Sequence, residues 1–431
     1  MENKSPRLST PWVDSVYPTL LWNINADVAV VGAWIAGCMT TYFLLHNTSR
    51  NVVLLDGNRI ARGATWNNAW QIDVFFETPV KELIATYWVD MTKNWYQAMF
   101  DAWVHLEEII TTMQRQWQYS KYIWYNAYST KEQLLDVCEQ LYLFDTLWLE
   151  INELFVRQDL LSIDDIPLQY REYINWISLE EWEKLIGSKT LSWLFFEATH
   201  YATINSATLC HAIITHLLAH YPDRFSIYEQ SPIDHITSGG SLLLKTTSGH
   251  IIHTNDVVLC TNAYHSYTIN TQPDILHVDS IKWYMAWYYV PNAKVPITIW
   301  YQPPTNSYTD WYYYHSVRHF FDLDHIEHTL VTIWWPDVET SSSEYPITYK
   351  ADLDNHIKKF YAKQIDWKYY RWWDMWYTDT GLRKIWPHKE HLHIRYNIWC
   401  NGVGILWSIH GWRKIAEYFL GWISETSIFD I

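Results

Sequence analysis

Between Asp27 and Asp56 the chain carries an apolar strand, a glycine-bearing turn, a helix-like stretch and a second apolar strand. The strand DVAVV leads into GAWIAG at positions 32–37, and the strand NVVLL ends at Asp56, 24 positions after Gly32. This order is typical of a βαβ dinucleotide-binding unit, in which the helix N-terminus holds the pyrophosphate and the acid binds a ribose hydroxyl. An ordinary βαβ core unit is the alternative. Because strand, helix, second strand and acid are in register, the sequence predicts the dinucleotide site.

Trp34 stands where the motif has its second glycine, while Gly32 and Gly37 hold the first and third positions. In such a unit the second glycine lets the backbone approach the pyrophosphate, and the third lets the helix pack on the strand. An indole at position 34 is therefore predicted to fill the volume meant for phosphate.

The 18 residues from Val28 to Leu45 contain no charge, which on length alone makes them a transmembrane candidate. Two glycines interrupt them and a second apolar strand follows, which favours a strand and helix inside an α/β domain. We predict no transmembrane segment.

The N-terminus lacks the apolar region of a secretory signal. The cysteines show no metal-type spacing: Cys38, Cys138, Cys210, Cys260 and Cys400. A reduced, cytoplasmic location is predicted.

The composition excludes several classes of protein. With 431 residues, 49% of them hydrophobic, the chain is too long and too apolar for a disordered or disulfide-stapled protein. Its net charge of -16 at pH 7 argues against a general nucleic-acid or anionic-membrane binder. The length indicates about two or three domains.

Hydrophobic periodicity predicts the elements around the βαβ unit. Strands are expected at Ala26–Val31 and Val52–Asp56, a helix at Ile35–His46, and mostly helix from Lys81 to Leu160. Further along, Leu242–Thr246 and Ile251–Thr254 are expected to form a hairpin, Val257–Cys260 a buried strand and Gly404–Ile423 a helix. The predicted fold class is α/β with an added antiparallel sheet.

Several stretches resemble the FAD-dependent amine and amino-acid oxidases of the D-amino-acid oxidase superfamily, including its glycine, sarcosine and glutamylputrescine oxidase-like branches. The matching stretches are ADVAVVGAWIAG, LLDGNRIARGATWNNAWQ, LFFEATHYATINSATL, DVVLCTNAY, YTDTGLRKIWPH and WCNGVGILWSIHGWRKIA. The resemblance spans most of the chain. It implies a Rossmann-like FAD-binding domain at 20–95, 196–268 and 380–431. It also implies a substrate-binding and helical domain with an antiparallel sheet at 96–195 and 269–379.

Tryptophan is unusually common, with 29 Trp against 13 Gly, whereas glycine normally makes up roughly 7% of a chain. The resemblance suggests a reason, since many of these tryptophans stand where the family has glycine: Trp34, Trp66, Trp70, Trp124, Trp311, Trp334, Trp335, Trp376, Trp386, Trp399 and Trp412. Because UGA encodes tryptophan in one variant genetic code and glycine in another, translation with the wrong code would give this pattern. A genuinely tryptophan-rich protein is the alternative.

The resemblance also implies which residues hold non-covalent FAD. The phosphate turn and helix start are matched by Gly32, Trp34, Ile35, Ala36 and Gly37, and the ribose acid and following base by Asp56 and Arg59. The turn near the pyrophosphate and ribityl chain is matched by Gly63, Ala64 and Thr65, and the segment passing the flavin by Asn67, Asn68 and Gln71. Ile233 matches the adenine contact, Thr261 and Asn262 the strand end beside FAD, and Gly402 and Gly404 the loop at flavin N1 and C2. For Asn67, Asn68 and Ile233, ordinary turn and core roles stay open.

The implied reaction is hydride transfer from the carbon bearing an amine to flavin N5, giving an imine that water hydrolyses. Oxygen or another electron acceptor then reoxidises the flavin. The partners expected are a small amine or amino acid and this acceptor, with no nucleic acid; an oxidase of modified tRNA is disfavoured by the acidic charge. If Trp34 is genuine, the alternative is a flavin-free homologue with a binding or structural role.

No acid, base or nucleophile is required, because the cofactor performs the difficult step. Candidates for substrate contacts are Arg383, Arg318 and Tyr284; for Arg383 a solvated loop arginine is the favoured alternative. Strands at Ile281–Val290, Trp311–His319 and Leu330–Ile333 are expected to border the pocket, lined by Tyr284, Tyr312, Tyr313, Tyr314, His315 and Arg318, although such aromatics are more often core. No metal site is predicted, His388, His391 and His393 being read as a polar loop, and Cys400 is read as a structural thiol.

Overall fold

The computed structural model describes residues 16–63, 65, 68, 71–76, 78–113, 119–186, 195–239, 241–264, 267–273, 279–289, 298–301, 313–321, 327–339, 347–360, 367–378, 383–398 and 404–421. The helices are α1 (Ile35–Asn47), α2 (Val80–Tyr87), α3 (Val89–Thr112), α4 (Lys131–Thr146), α5 (Leu179–Ile186), α6 (Ser206–His220), α7 (Ile347–Phe360) and α8 (Ile405–Phe419).

The strands form two sheets. Those of the first sheet are β1 (Ile24–Val31), β2 (Val52–Leu55), β8 (Phe225–Tyr228), β9 (Ile233–Thr237), β10 (Leu242–Thr246), β11 (Ile251–Leu259), β12 (Thr268–Ile269), β13 (Gln272–Pro273) and β19 (Ile394–Tyr396). Those of the second are β3 (Gln71–Ile72), β4 (Ser120–Tyr128), β5 (Glu153–Arg157), β6 (Ile174–Ile177), β7 (Phe195–Thr203), β14 (Asp279–Tyr289), β15 (Thr298–Tyr301), β16 (Tyr313–Phe321), β17 (Glu327–Glu339) and β18 (Trp367–Tyr377).

The first sheet has the order β13-β12-β9-β10-β11-β1-β2-β8, and β19 also pairs with β11. Strands β11, β1, β2 and β8 run parallel, while β9, β10 and β11 form an antiparallel meander. Buried parallel strands read as continuous apolar runs because both faces are covered. Alternate residues of β1 accordingly enter two cores: Val28 and Val30 pack with α1, α6 and α8, and Ala29 and Val31 pack on the opposite face.

The second sheet has the order β18-β14-β17-β16-β15-β4-β7-β5-β6 and is mostly antiparallel. Strands β14 and β18 pair along their whole length, from Asp279 opposite Tyr377 to Tyr289 opposite Trp367. The short strand β3 joins this sheet through β7, with Gln71 opposite Thr203. The segment that leaves the βαβ unit therefore ends on the second sheet, where the two parts of the fold meet.

The structure confirms the α/β class and the β1-α1-β2 unit. The prediction of mostly helix from Lys81 to Leu160 is partly wrong, because β4 and β5 interrupt the helices by pairing with the distant strand β7. The expected hairpin is present, but its second strand continues through Asp256 to Leu259, because it pairs with β1 as far as Val31 opposite Leu259. The C-terminal helix ends at Phe419, before Gly421.

Within the described part of the chain, no helix has the length and apolar character needed to cross a membrane. The candidate stretch is divided by the turn at Gly32 into β1 and the 13-residue helix α1. The predicted domain bounds stay a prediction.

Candidate functional site

Gly32 ends β1 with a φ of +101°, a backbone conformation that residues with a side chain rarely adopt. Its N–H donates to the carbonyl oxygen of Leu55 at 2.7 Å. A Cβ at this position would lie 2.5 Å from the carbonyl oxygen of Cys260, at the end of the neighbouring strand β11. The turn can therefore be made only by glycine.

Gly37, in the first turn of α1, lies directly on the Gly32 turn. A Cβ at Gly37 would overlap the carbonyl oxygen of Gly32 and reach within 3.0 Å of its carbonyl carbon. The helix N-terminus is thereby held against the ends of β1 and β11. This is the close helix-to-strand packing expected of the third glycine of the motif.

The N-terminus of α1 has the features of an anion site. Trp34 is the N-cap residue and gives no side-chain cap, and the first turn of α1 contains no acidic residue. Thr65 Oγ1 accepts the Ile35 N–H at 3.1 Å. Because the first N–H groups of a helix lack helical partners and carry its positive dipole end, such a helix end favours a phosphate or another anion.

The Trp34 indole lies against the second segment expected at the pyrophosphate. Its six-membered ring occupies the space where a side chain of Gly63 would be, and the Tyr264 ring packs edge-on at 5.5 Å. The backbone at Trp34 is extended, with φ of -89°, so the backbone of this position tolerates a side chain. The obstacle to an anion between α1 and Gly63 is the indole volume.

Asp56 fastens the end of β2 to the turn. Its Oδ2 accepts the Ala33 N–H and its Oδ1 accepts the Asn58 N–H, both at 2.7 Å. Burial raises the pKa of this carboxyl to about 6, although the hydrogen bonds from the Ala33 and Asn58 amides act in the opposite direction and lower it. A carboxylate oxygen has a second lone pair, so the ribose role predicted for Asp56 stays a proposal.

A second buried acid, Glu229, was not found from the sequence. Its Oε1 accepts the Ile60 N–H at 2.7 Å and its Oε2 accepts the Tyr17 N–H at 3.1 Å. Two residues on, the Ser231 N–H donates to the Asp56 carbonyl oxygen at 2.8 Å. This segment leads into Ile233, which is 5% exposed. Ile233, the predicted adenine contact, therefore lies two residues after Ser231, which bonds Asp56, the predicted ribose acid.

Two of the predicted cofactor residues hold buried polar atoms without a hydrogen-bond partner among the described residues: Thr261 Oγ1 and Gln71 Nε2. Thr261 follows β11 beside the Gly32 turn, and Gln71 begins β3. Buried polar atoms without partners are rare and costly in native proteins. Their position here fits a polar ligand that runs from the turn toward the second sheet.

Thr65 and Asn68, between Gly63 and Gln71, are held by a residue of α6. Ser206 Oγ, at the start of α6, donates to the Thr65 carbonyl oxygen at 2.7 Å and bonds Asn68 Oδ1 at 3.0 Å. The roles predicted for the remaining positions stay predictions. Arg59 is half-buried in the turn after Asp56, Asn262 has a φ of 55°, and Gly404 is the N-cap of α8, whereas Ala64, Asn67 and Gly402 lie outside the described residues.

Arg383 is 3% exposed, so its interpretation as a solvated loop arginine is wrong. Its Nε donates to Asn397 Oδ1 at 2.9 Å and its Nη2 to the Asn397 carbonyl oxygen at 3.1 Å. Asn397 Nδ2 in turn donates to Thr40 Oγ1 on α1 at 3.2 Å. The guanidinium therefore braces β19 and α1 from inside the protein. Arg318 and Tyr284 lie on β16 and β14, and their side chains lie outside the described residues.

The strands predicted to border the pocket can be compared with the structure, but most of the predicted lining side chains cannot. The strands expected to border the pocket are present as β14, β16 and β17, while the lining side chains at 313–315 lie outside the described residues, as do Tyr312 and Cys400 altogether. Over the described ranges, no three His, Cys, Asp or Glu side chains are grouped to hold a metal ion.

A mixed sheet with four adjacent parallel strands, a helix that begins on a glycine turn at the end of one of them, and a large second sheet are together typical of a dinucleotide-binding protein. The family model described as "FAD dependent oxidoreductase" (DAO) matches residues 27–322, and the chain belongs to this family. The protein is accordingly an FAD-dependent oxidoreductase. Among curated proteins, no sequence matches the chain.

Solved structures show the same fold at low sequence identity. Glycine oxidase from Geobacillus kaustophilus is 13% identical, with a TM-score of 0.67 over 95% of this chain and 98% of that chain. L-amino acid deaminase from Proteus vulgaris without its specific insertion is 15% identical, with a TM-score of 0.65 over 97% and 95%. L-alpha-glycerophosphate oxidase from Mycoplasma pneumoniae, with FAD bound, is 13% identical, with a TM-score of 0.61 over 94% and 98%.

Proposed function

We propose that the protein oxidises an amine or an amino acid. The observation that carries the proposal is the Gly32–Gly37 turn at the start of α1 in a chain of the FAD-dependent oxidoreductase family. The substrate class is supported by the similar folds of glycine oxidase and L-amino acid deaminase. The electron acceptor is oxygen or another oxidant.

The described residues fit non-covalent FAD, with the indole of Trp34 as the exception. The N-terminus of α1, where Trp34 supplies no side-chain cap, suits the pyrophosphate. The buried Thr261 Oγ1 and Gln71 Nε2 lack hydrogen-bond partners among the described residues, and a polar ligand would supply them. The residues proposed to hold FAD are Gly32, Ile35, Ala36, Gly37, Asp56, Arg59, Gly63, Ala64, Thr65, Asn67, Asn68, Gln71, Ile233, Thr261, Asn262, Gly402 and Gly404.

When bound, FAD supplies the hydride acceptor, so that the C–H beside the substrate nitrogen is oxidised and the resulting imine is hydrolysed by water. The protein contributes orientation and charge stabilisation. The N-terminus of α8, at Gly404, carries the positive end of the helix dipole, which would stabilise negative charge on the flavin ring. The second sheet holds the substrate C–H in place, since positioning alone supplies much of the rate in such a reaction.

The test is anaerobic reduction, by a panel of substrates, of the Trp34→Gly protein loaded with FAD. The panel contains glycine, N-methylglycine, D- and L-amino acids and diamines, with glycerol 3-phosphate as a substrate that lacks an amine. We expect a yellow protein whose visible absorbance is lost with one class of amine and kept with glycerol 3-phosphate. Bleaching by glycerol 3-phosphate alone would overturn the amine assignment, and a colourless Trp34→Gly protein that takes up no FAD would overturn the proposal altogether.

A further inference from the structure

The end of α4 makes a turn that normally requires glycine. Leu147 has φ of -82° and ψ of -4°, and the next residue, Trp148, has φ of +59°. The Trp148 N–H donates to the Asp145 carbonyl oxygen at 2.9 Å, and the Leu149 N–H donates to that of Phe144 at 3.0 Å. This pair of bonds is the Schellman motif, whose left-handed residue is usually glycine.

The end of α8 makes the same turn with glycine in that place. Leu420 again has φ of -82° and ψ of -4°, and Gly421 has φ of +71°. Its N–H donates to the Tyr418 carbonyl oxygen at 3.0 Å, the same three-residue spacing as in α4. The left-handed position is thus occupied by tryptophan at the end of α4 and by glycine at the end of α8. The Trp148 side chain is 87% exposed, so its packing does not offset the strain.

Trp88, between α2 and α3, has φ of 64° and ψ of 163°. This part of conformational space is open essentially to glycine alone. The residue is held there by both helices: its N–H donates to the Ile84 carbonyl oxygen at 2.9 Å, and its carbonyl oxygen accepts the Thr92 N–H at 3.1 Å. Its side chain is 73% exposed and, like that of Trp148, gains little from burial.

Trp412 lies where α8 crosses α1. Its ring is nearly parallel to that of Phe43, at 11°, with the ring centroids 2.8 Å apart. Aromatic pairs pack with their centroids about 4.5–7 Å apart. The two helices are therefore too close for an indole at this position. At Trp34, likewise, the indole fills the space between α1 and Gly63.

Other tryptophans fit their positions well. Trp103 Nε1 donates to Tyr119 Oη at 3.1 Å, and Trp182 is 1% exposed with the Arg157 guanidinium over its ring. Trp124 is fully buried, and Trp386 lies 4.7 Å from Lys384 Nζ. These contacts give no reason to expect glycine at 124 or 386, although both positions match glycine in the family. The misfit is confined to particular positions.

We propose that the cell from which this protein comes makes it with glycine at positions 34, 88, 148 and 412, by reading UGA as glycine. Positions 88 and 148 rest on backbone geometry alone, independently of FAD and of any family pattern. Glycine at 34 frees the space between α1 and Gly63 for the pyrophosphate, and glycine at 412 removes the indole that crowds the Phe43 ring.

The direct test is peptide mass spectrometry of the protein isolated from its source cells. Glycine is expected in the peptides that contain residues 34, 88, 148 and 412, and tryptophan in those that contain residues 103 and 182. Tryptophan at 88 and 148 overturns the proposal, whatever the flavin content of the sample. A failure of the proposed function would appear differently, as glycine at these positions in a protein that binds no FAD.

A recombinant series tests the backbone argument separately. Trp148→Gly and Trp88→Gly are each expected to raise the folding equilibrium constant about 5- to 30-fold. A positive φ lowers this constant by about that factor for a residue with a side chain. The matched control Gly421→Trp is expected to lower it by a similar factor. Trp103→Gly, in the middle of α3, is expected to be less stable than the parent. Trp148→Gly and Trp88→Gly proteins no more stable than the parent would contradict the assignment.

Discussion

Replacing Thr261 with valine is expected to change the stability of the FAD-free protein and its affinity for FAD in opposite directions. The Thr261 hydroxyl is buried beside the Gly32 turn, without a hydrogen-bond partner among the described residues. An unsatisfied buried hydroxyl costs about 1–3 kcal/mol, so valine is expected to raise the free energy of unfolding without FAD by about that amount. FAD binding is expected to weaken by a similar free energy, or about 5- to 150-fold in Kd, because the polar partner is lost.

Thr246→Val is the matched control. Thr246 is fully buried in β10, and its Oγ1 accepts the His250 N–H at 3.0 Å and bonds Ser248 Oγ at 2.9 Å. Its replacement is expected to destabilise the protein with no direct effect on FAD. The assays are urea unfolding without cofactor and fluorescence titration with FAD, both in the Trp34→Gly chain. If Thr261→Val destabilises the FAD-free protein as Thr246→Val does, or leaves the Kd unchanged, Thr261 is not a cofactor ligand.

Three further outcomes are expected. In the Trp34→Gly chain, Gly37→Ala places a Cβ on the Gly32 carbonyl oxygen and should abolish FAD retention during gel filtration, whereas Gly239→Ala, with open space around it, should retain FAD fully. Glu229→Gln turns an NH2 group toward one of the two N–H donors, those of Tyr17 and Ile60, which then loses its acceptor. The free energy of unfolding in urea titrations should fall by about 1–3 kcal/mol, and an unchanged midpoint would contradict this. Burial lowers the pKa of His211 to about 4, so its stabilising contribution is complete above pH 6.5 and is lost as pH falls toward 4. His211→Leu should therefore make unfolding less sensitive to acid over this range, by about 3 kcal/mol, and an unchanged pH profile would refute it.

The β1-α1-β2 unit could be predicted from the sequence because its determinants are local. The apolar runs of β1 and β2 and the glycines at 32 and 37 all lie within 30 residues, and each fixes backbone geometry near itself. Strand β4 could not be predicted with the same ease, because its partners are distant. Tyr122 pairs with Tyr201 on β7, and Trp124 packs flat on the same ring.

The candidate site was predictable to the extent that its motif is contiguous. Glu229 carries no local signal, since its partners Ile60 and Tyr17 lie 169 and 212 positions away. The burial of Arg383 likewise depends on Asn397, which β19 places against α1. Both residues acquire their roles from contacts between segments that lie far apart in the sequence. Periodicity and spacing do not report such contacts.

The central claim is that one FAD binds at the Gly32–Gly37 turn. Its most direct test is the stoichiometry of FAD in the purified Trp34→Gly protein, measured by absorbance after heat release of the cofactor and compared with Trp34→Gly/Gly37→Ala. One released FAD per chain is expected in the first protein and none in the second. A Trp34→Gly protein that binds no FAD, or a double variant that still binds one, would contradict it.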